Sequence, residues 1–376
     1  MTPLARTIGR AFAIHEVVGP RGCGDTPRTR PRWRDRGRRK GRQPTPQSSG
    51  YDRTKAMAIA LGFQCTVSDA DLPYVEVGVS TQVGKGGSED TQTAWATACL
   101  FFGAIAVFVG FVLATDRGFT DVAQGWAYPS AFEIWGGAYW ALLTSSFVHV
   151  ELWHLVANLY WLWTFGRCLE LLLGQVRFLL LVLASSFVSS AFQLAISDDT
   201  GIGASGVVYA LFGFMWVCRS RMPEVRAVLD GRTITAFVGW QLFCFALSFK
   251  GVPIGNAAHV SGFALGALLG GLRVGWRPRL LLAASATVVA AALLVVVWAP
   301  WSPTWAGRKA YDAHVAERYG EALGFYDRVV ELDPEGAWAY RNRSMVRAAL
   351  GDAEGSRADL DRAEEVDPGK ERLDSP

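Results

Sequence analysis

Seven apolar runs occupy most of the chain between residues 94 and 298. A hydrocarbon core about 30 Å thick is crossed by roughly 20 residues of apolar helix. Of the 376 residues, 51% are hydrophobic and only 19% are charged, which excludes an ordinary soluble protein of this size. The runs, numbered here as spans one to seven, are 94–114, 150–172, 178–196, 202–218, 233–249, 256–272 and 280–298. They predict an all-α, polytopic membrane helical bundle.

The basic residues between these spans predict the orientation of the bundle. Three alternate connections hold nine Lys and Arg residues, and the other three hold only two. The connections rich in basic residues are 166–177, 219–232 and 272–279. Because cytoplasmic connections carry such an excess, we expect a multi-pass protein of the cell membrane with a cytoplasmic N-terminus. Spans two, four and six then enter from the outer face.

Residues 1–93 are polar and rich in basic residues, and we expect them to be disordered. Residues 1–50 alone contain eleven Arg and one Lys against three acids. A solvated tail explains this composition better than a nucleic-acid site, so no nucleic-acid partner is expected. The apolar stretch 56–63 is too short for a secretory signal peptide.

Six cysteines are scattered without a Cys-x-x-Cys pair, which argues against both a disulfide framework and a zinc site. They are Cys23, Cys65, Cys99, Cys168, Cys218 and Cys244. We expect no metal and no cofactor.

The segment 116–148, between spans one and two, is too long for a turn and contains many aromatic residues, among them Trp126, Phe132 and Trp135. Aromatic rings favour the membrane–water interface. We therefore expect an interfacial structure that lies partly in the outer leaflet.

The end of the chain divides into a seventh span (276–300) and a soluble helical tail (301–376). Leu332-Asp-Pro334 recurs 34 residues later as Val366-Asp-Pro368. This period and the spacing of small and large residues are typical of paired tetratricopeptide helices; a coincidental helical hairpin stays open. If span seven crosses from the inner to the outer face, the tail lies on the outer side. A protein ligand of the repeats is then possible there.

Span four begins with a glycine-rich loop that places Ser205 at the first turn of a helix. Unpaired N–H groups at a helix N-terminus stabilise a nearby anion, and the flanking Gly203 and Gly206 allow close approach. A serine that merely caps the helix is the alternative. Ser205 and Tyr209 are four residues apart and share one helix face.

Two other spans carry polar groups near the same end. On span two, His154 and Asn158 are four residues apart and share a face, whereas His149 is predicted to point elsewhere and to be structural. On span six, Gly262 and Gly266 follow His259 on its own face. Small residues at this spacing let two helices approach closely, so His259 is predicted to lie beside Ser205.

These motifs resemble those of the rhomboid intramembrane serine proteases. The resemblance covers about 94–275 and rests on His149-x4-His154-x3-Asn158, Gly203-Ala-Ser205-Gly and Asn256-Ala-Ala-His259-x2-Gly262-x3-Gly266. It implies a six-helix core, with the seventh span added.

The resemblance also implies roles for these residues. Ser205 is the implied nucleophile and His259 its general base, and His154 with Asn158 form the implied oxyanion hole. Gly166 and Glu170 match a Gly-x3-Glu feature of the family. The chain departs from the pattern at Ala141, where many members have an arginine after the tryptophan.

The predicted function is therefore cleavage of single-span membrane proteins within the lipid bilayer. Two rivals remain. One is a non-catalytic rhomboid-like protein that binds membrane helices. The other is a transporter or channel, which is disfavoured because the polar groups cluster at one depth.

Overall fold

The computed structural model describes residues 93–118, 125 and 127–368. The predictions for residues 1–92, for Trp126 and for the end of the tail (369–376) lie outside this part of the chain. Every regular element within it is a helix. The chain is an all-α membrane helical bundle, which confirms the fold class predicted from the apolar runs.

In chain order the helices are α1 (Trp95–Asp116), α2 (Ala131–Trp135), α3 (Ala141–Thr144), α4 (Leu152–Leu173), α5 (Gln175–Ser197), α6 (Ser205–Cys218), α7 (Pro223–Val228), α8 (Gly231–Ser248), α9 (Asn256–Arg273), α10 (Pro278–Val297), α11 (Pro303–Val315), α12 (Tyr319–Leu332), α13 (Ala337–Ala349) and α14 (Ala353–Val366). A helix forms at each of the seven apolar runs. We call α6 the serine helix and α9 the histidine helix.

Length and composition alone mark α1, α5 and α10 as able to cross a membrane. The serine helix is also apolar but has only 14 residues. It is shorter than the run 202–218 because the glycine-rich segment at its start stays outside the helix. Helices α4, α8 and α9 form where spans two, five and six were predicted, and their crossing of a membrane stays a prediction.

Glu170, buried within α4, holds the start of α1. Its carboxylate accepts hydrogen bonds from the N–H groups of Ala96 (2.9 Å) and Thr97 (2.7 Å) and from the Thr97 hydroxyl (2.7 Å). The first N–H groups of a helix have no partner within it, so this distant carboxylate takes the place of a cap. A Cβ on Gly166 would lie 3.0 Å from the Thr97 side chain, which explains the glycine.

The described part of the segment between α1 and α4 contains two short helices, α2 and α3, and a 3₁₀ turn over Ser145–Phe147. Helix α2 begins with a capping box, in which the Glu133 carboxylate accepts from the Ser130 N–H at 2.7 Å. Ala141, where the family often has arginine, is fully buried. The described part of the segment is therefore folded, whereas its interfacial position and its depth in the outer leaflet stay predictions.

Helices α11–α14 form two helical hairpins whose corresponding helices begin 34 residues apart. Ala322 and Tyr326 are fully buried between the helices. Arg343 donates to both oxygens of the buried Asp359 at 2.6 and 2.9 Å and to Asp327 at 2.9 Å. The helical tail is thus present, and its assignment to the tetratricopeptide class stays a prediction.

The tail is attached to the bundle next to the end of α5. Asp198 ends α5 in a left-handed conformation, and its two carboxylate oxygens accept from the hydroxyls of Ser302 (2.6 Å) and Thr304 (2.9 Å). The indole N–H of Trp301 donates to the carbonyl of Ala195 at 2.7 Å. The tail therefore starts at the end of the bundle where the serine helix also begins.

A second attachment joins the tail to helix α2. The guanidinium of Arg308 lies 5.1 Å from the centre of the Phe132 ring, close to the backbone at Gly136. The rings of Tyr311 and Trp338 approach the same phenylalanine at 5.7 and 6.0 Å. A cation over an aromatic face is attracted by the ring quadrupole. Phe132 is thus enclosed by three side chains of the tail.

Candidate active site

The loop before the serine helix has the backbone that its glycines predict. Gly201 and Gly203 adopt positive φ angles of 67° and 100°, which residues with a side chain rarely adopt. Ala204 is the N-cap and offers no side-chain oxygen to the helix. Ser205 is the first helical residue, so its hydroxyl stands among backbone N–H groups that have no partner within the helix.

Ser205 and His259 are brought together by the serine and histidine helices. The Ser205 Oγ lies 2.9 Å from Nε2 of His259, a normal hydrogen-bond distance. A Cβ on Gly262 would collide with the carbonyl of Gly206, and one on Gly266 with the carbonyl of Ala210. The two glycines therefore permit the close helix contact that brings the imidazole to the serine.

The imidazole of His259 is held on two further sides. The Tyr209 ring stacks on it with centroids 4.5 Å apart and planes 20° apart. On the side away from Ser205, Nδ1 lies 3.1 Å from Oε1 of Gln241, a residue of α8. His259 is only 6% exposed, and its ring has contacts on three sides.

His154 and Asn158 both face the glycine loop. A Cβ on Gly203 would lie 3.0 Å from Nε2 of His154 and 3.2 Å from Nδ2 of Asn158. Both side-chain nitrogens therefore lie on the same side of the loop, close to Gly203, which precedes Ser205 by two residues. Nitrogens in this position can donate hydrogen bonds to an oxygen held close to the serine.

The prediction that His149 points away from this cluster is wrong. Its Nε2 lies 3.1 Å from Nδ2 of Asn158 and 3.4 Å from the N–H of Ala204, and its Nδ1 lies 3.2 Å from the carbonyl of Phe147. The angular argument failed because α4 begins only at Leu152, so His149 precedes the helix. The contacts agree with a supporting role, since His149 ties Asn158 to the start of the serine helix.

Two further polar residues, Gln241 and Asn256, join the site, and a third, Gln193, binds the start of the histidine helix; none of them was singled out from the sequence. Gln241 contacts His259, Asn256 accepts from Gln241 at 2.8 Å, and Gln193 accepts from the N–H of Ala258 at 3.1 Å. Asn256 is the first residue of the Asn256-Ala-Ala-His259 motif, from which no role for it was predicted. The only signal for the two glutamines was their position inside apolar runs, where a polar side chain is costly and is usually functional or paired.

Fold and site together define a class: a helical membrane protein with a serine–histidine pair at the N-terminus of a buried helix. Comparison with known proteins narrows the class. Residues 136–276 match the family model described as the Rhomboid domain. This region contains each residue of the site described above.

Two relatives illustrate the similarity. Rhomboid protease GlpG of Yersinia pestis (strain Pestoides F) is 37% identical over 130 residues, which are 35% of this chain and 46% of that protein. Rhomboid protease GlpG of Serratia proteamaculans (strain 568) shows the same identity and coverage. The chain spans slightly less than half the length of these curated relatives. The matches support the rhomboid family, and the region matched by the family model ends at residue 276, before the tail.

Proposed function

We propose that this protein is an intramembrane serine endopeptidase that uses a Ser205–His259 dyad. The observation that carries the proposal is the 2.9 Å contact between the Ser205 hydroxyl and His259 Nε2 at the start of a buried helix. A serine within hydrogen-bond reach of an imidazole is an activated nucleophile. The similarity to proteins named rhomboid protease supports the same reaction class.

The proposed reaction follows the geometry of the site. Ser205 Oγ attacks the carbonyl carbon of the substrate, and His259 Nε2 takes the hydroxyl proton. The carbonyl oxygen becomes an oxyanion, stabilised by the Ser205 N–H, His154 and Asn158. His259 then gives the proton to the leaving amine, and the acyl-enzyme forms. Water, deprotonated by the same imidazole, releases the second product and restores the serine.

The substrates we propose are single-span membrane proteins whose helix is weak near the outer face. The hydroxyl of Ser205 can reach a backbone carbonyl only where the substrate is extended, because a stable helix hides its carbonyls in hydrogen bonds. Small or helix-breaking residues at the cleaved bond are the expected preference. The reacting carbonyl belongs to the substrate, and the proposed reaction uses no metal or cofactor.

The proposed topology puts the N-terminus in the cytoplasm and the tail on the outer side. The basic connections support this orientation. The contacts of Asp198 with Ser302 and Thr304 keep the tail at the end of the bundle where Ser205 lies. As paired tetratricopeptide-like repeats, α11–α14 would offer a surface to a protein ligand or a substrate ectodomain.

The test is to co-express a panel of tagged single-span substrates with the wild type and with Ser205→Ala. Cleavage by the wild type and none by Ser205→Ala is expected, with equal membrane insertion. Ser261→Ala is the matched control, because the Ser261 hydroxyl donates to the Ala257 carbonyl of its own helix at 2.7 Å. A fluorophosphonate should label the wild type and not Ser205→Ala.

The alternative function is non-catalytic binding of membrane helices. In that case a tagged substrate would be retained by the wild type and by Ser205→Ala alike, with neither cleavage nor fluorophosphonate labelling. Undiminished cleavage by Ser205→Ala would instead leave a protease with a different nucleophile.

A further inference from the structure

Helix α8 places one polar side chain against the catalytic imidazole. Gln241 Oε1 lies 3.1 Å from His259 Nδ1, on the side of the ring opposite Ser205. Most of α8 lies at the edge of the bundle, with only Phe237 and Cys244 buried. A second polar link joins the same helix to the site, because the Tyr209 hydroxyl donates to the carbonyl of Phe237 at 3.4 Å.

The orientation of the Gln241 amide follows from its other partner. Gln241 Nε2 donates to Oδ1 of Asn256 at 2.8 Å, and Asn256 Nδ2 donates to the Ser248 hydroxyl at 2.6 Å. With its nitrogen engaged in this way, the glutamine presents its oxygen to His259. An amide oxygen can only accept a hydrogen bond, so the proton of a neutral His259 ring belongs on Nδ1.

Every hydrogen bond in this chain of side chains then runs in one direction. The Ser205 hydroxyl donates to Nε2 of His259, whose Nδ1–H donates to Gln241, which donates in turn to Asn256. In the opposite tautomer the Nδ1 lone pair of His259 would face the amide oxygen of Gln241, and Nε2–H could only donate to the Ser205 oxygen. That tautomer would break the bond to Gln241 and leave no lone pair to take the serine proton.

We propose that Gln241 is the positioning residue of His259: its amide oxygen holds the imidazole in the tautomer whose Nε2 lone pair faces Ser205. The inference rests on the function proposed above. Gln241 would occupy the place that an aspartate holds in a catalytic triad, but as a neutral acceptor. Gln241 fixes the orientation of the His259 ring and its tautomer. It adds no negative charge that would stabilise the imidazolium.

The rival explanation is that Gln241 only fastens α8 to the histidine helix. The two explanations differ in what they predict for the pH dependence of turnover. The titratable side chains that face His259 are Tyr209, stacked on its ring, and His154 of α4. In the described part of the chain, no carboxylate is hydrogen-bonded to His259, so a carboxylate introduced at position 241 would be the first one there.

The experiment compares Gln241→Met, Gln241→Glu and the matched control Gln193→Met in the full-length protein. Methionine is close to glutamine in length and accepts only weakly. Gln193 also binds the histidine helix, through the Ala258 N–H at 3.1 Å, whereas the hydrogen-bond partners of the imidazole are Gln241 and Ser205. The measurements are kcat and KM on one transmembrane substrate from pH 5 to 9, and the thermal midpoint in detergent.

We expect Gln241→Met to lower kcat about tenfold with little change in KM, which corresponds to one lost hydrogen bond of roughly 1.4 kcal/mol. Gln241→Glu should keep kcat at high pH and move the acid limb of the profile to higher pH, because a neighbouring carboxylate favours the imidazolium. Gln193→Met should lower the thermal midpoint and leave the acid limb in place.

Wild-type kcat in Gln241→Met, or an unmoved acid limb in Gln241→Glu, would overturn the inference. In both cases Ser205→Ala, measured in parallel, tells which statement has failed. If Ser205→Ala is inactive, only the role of Gln241 is wrong. If Ser205→Ala cleaves like the wild type, the dyad itself is wrong.

Discussion

At the scale of single residues, the site is built from side chains that hold one another. His149 accepts from Asn158 and from the N–H of Ala204, so it connects the proposed oxyanion hole to the start of the serine helix. An amide has two N–H bonds. Asn158 can therefore give one to His149 and keep the other for the substrate.

Asn158→Ala is expected to slow turnover by roughly 10²–10³, because one preorganised donor to the oxyanion is lost. The variant should still react with a fluorophosphonate, since the Ser205–His259 contact at 2.9 Å does not involve Asn158. The measurements are kcat on a transmembrane substrate and the extent of labelling. Full turnover in this variant would remove Asn158 from the proposed oxyanion hole.

The sequence supported Ser205, His259 and their glycine neighbours because each lies in a periodic pattern on one helix face. It did not reveal Gln241, which has no motif around it and meets His259 only once α8 has packed against the bundle. His149 was placed wrongly for a related reason. A helix-wheel angle holds only inside a helix, and the sequence did not show that α4 begins after His149.

At the scale of elements, the site depends on how closely two helices approach. The serine and histidine helices touch along Gly262 and Gly266, each of which faces a backbone carbonyl of the partner helix. Interior packing transmits small changes in volume. A single methyl group between these helices therefore acts on the distance from Ser205 to His259, several residues away.

Gly266→Ala should destabilise the bundle by about 1–3 kcal/mol, the usual cost of overpacking, and lower activity as well. The control is Gly103→Ala in α1, where a Cβ meets no atom within 4 Å. That change should be neutral or stabilising, since alanine favours a helix over glycine by roughly 0.5–1 kcal/mol. Thermal midpoints of the two variants in detergent give the comparison. Equal midpoints would contradict the close contact.

At the scale of the whole molecule, the tail and the bundle share contacts that neither the apolar runs nor the repeat period could predict. These contacts join residues far apart in the chain, such as Phe132 with Arg308 and Trp338. At Ala141, where many members of the family have an arginine, the resemblance implied that the segment between α1 and α4 is held differently. In the structure, Arg308 of the tail lies over Phe132 of that segment.

The side of the membrane that carries the tail can be tested with one cysteine. In a variant without its six native cysteines, Glu354→Cys on the exposed face of α14 should react with a membrane-impermeant maleimide on intact cells. Arg279→Cys at the start of α10 is the control, which should react only after permeabilisation. Labelling of Glu354→Cys only in permeabilised cells would place the tail, and with it the Ser205 end of the bundle, in the cytoplasm.

The bonds of Asp198 also set an order of assembly. Its carboxylate is satisfied by Ser302 and Thr304, which follow it by 104 and 106 residues. Long-range contacts of this kind form late, and a chain folds as it is synthesised, N-terminal parts first. While the ribosome is still making α10, Ser302 and Thr304 have not been synthesised, so the Asp198 carboxylate lacks these two partners. The nascent protein thus carries every side chain of the proposed active site before Asp198, which precedes the loop that leads to Ser205, has met these two partners.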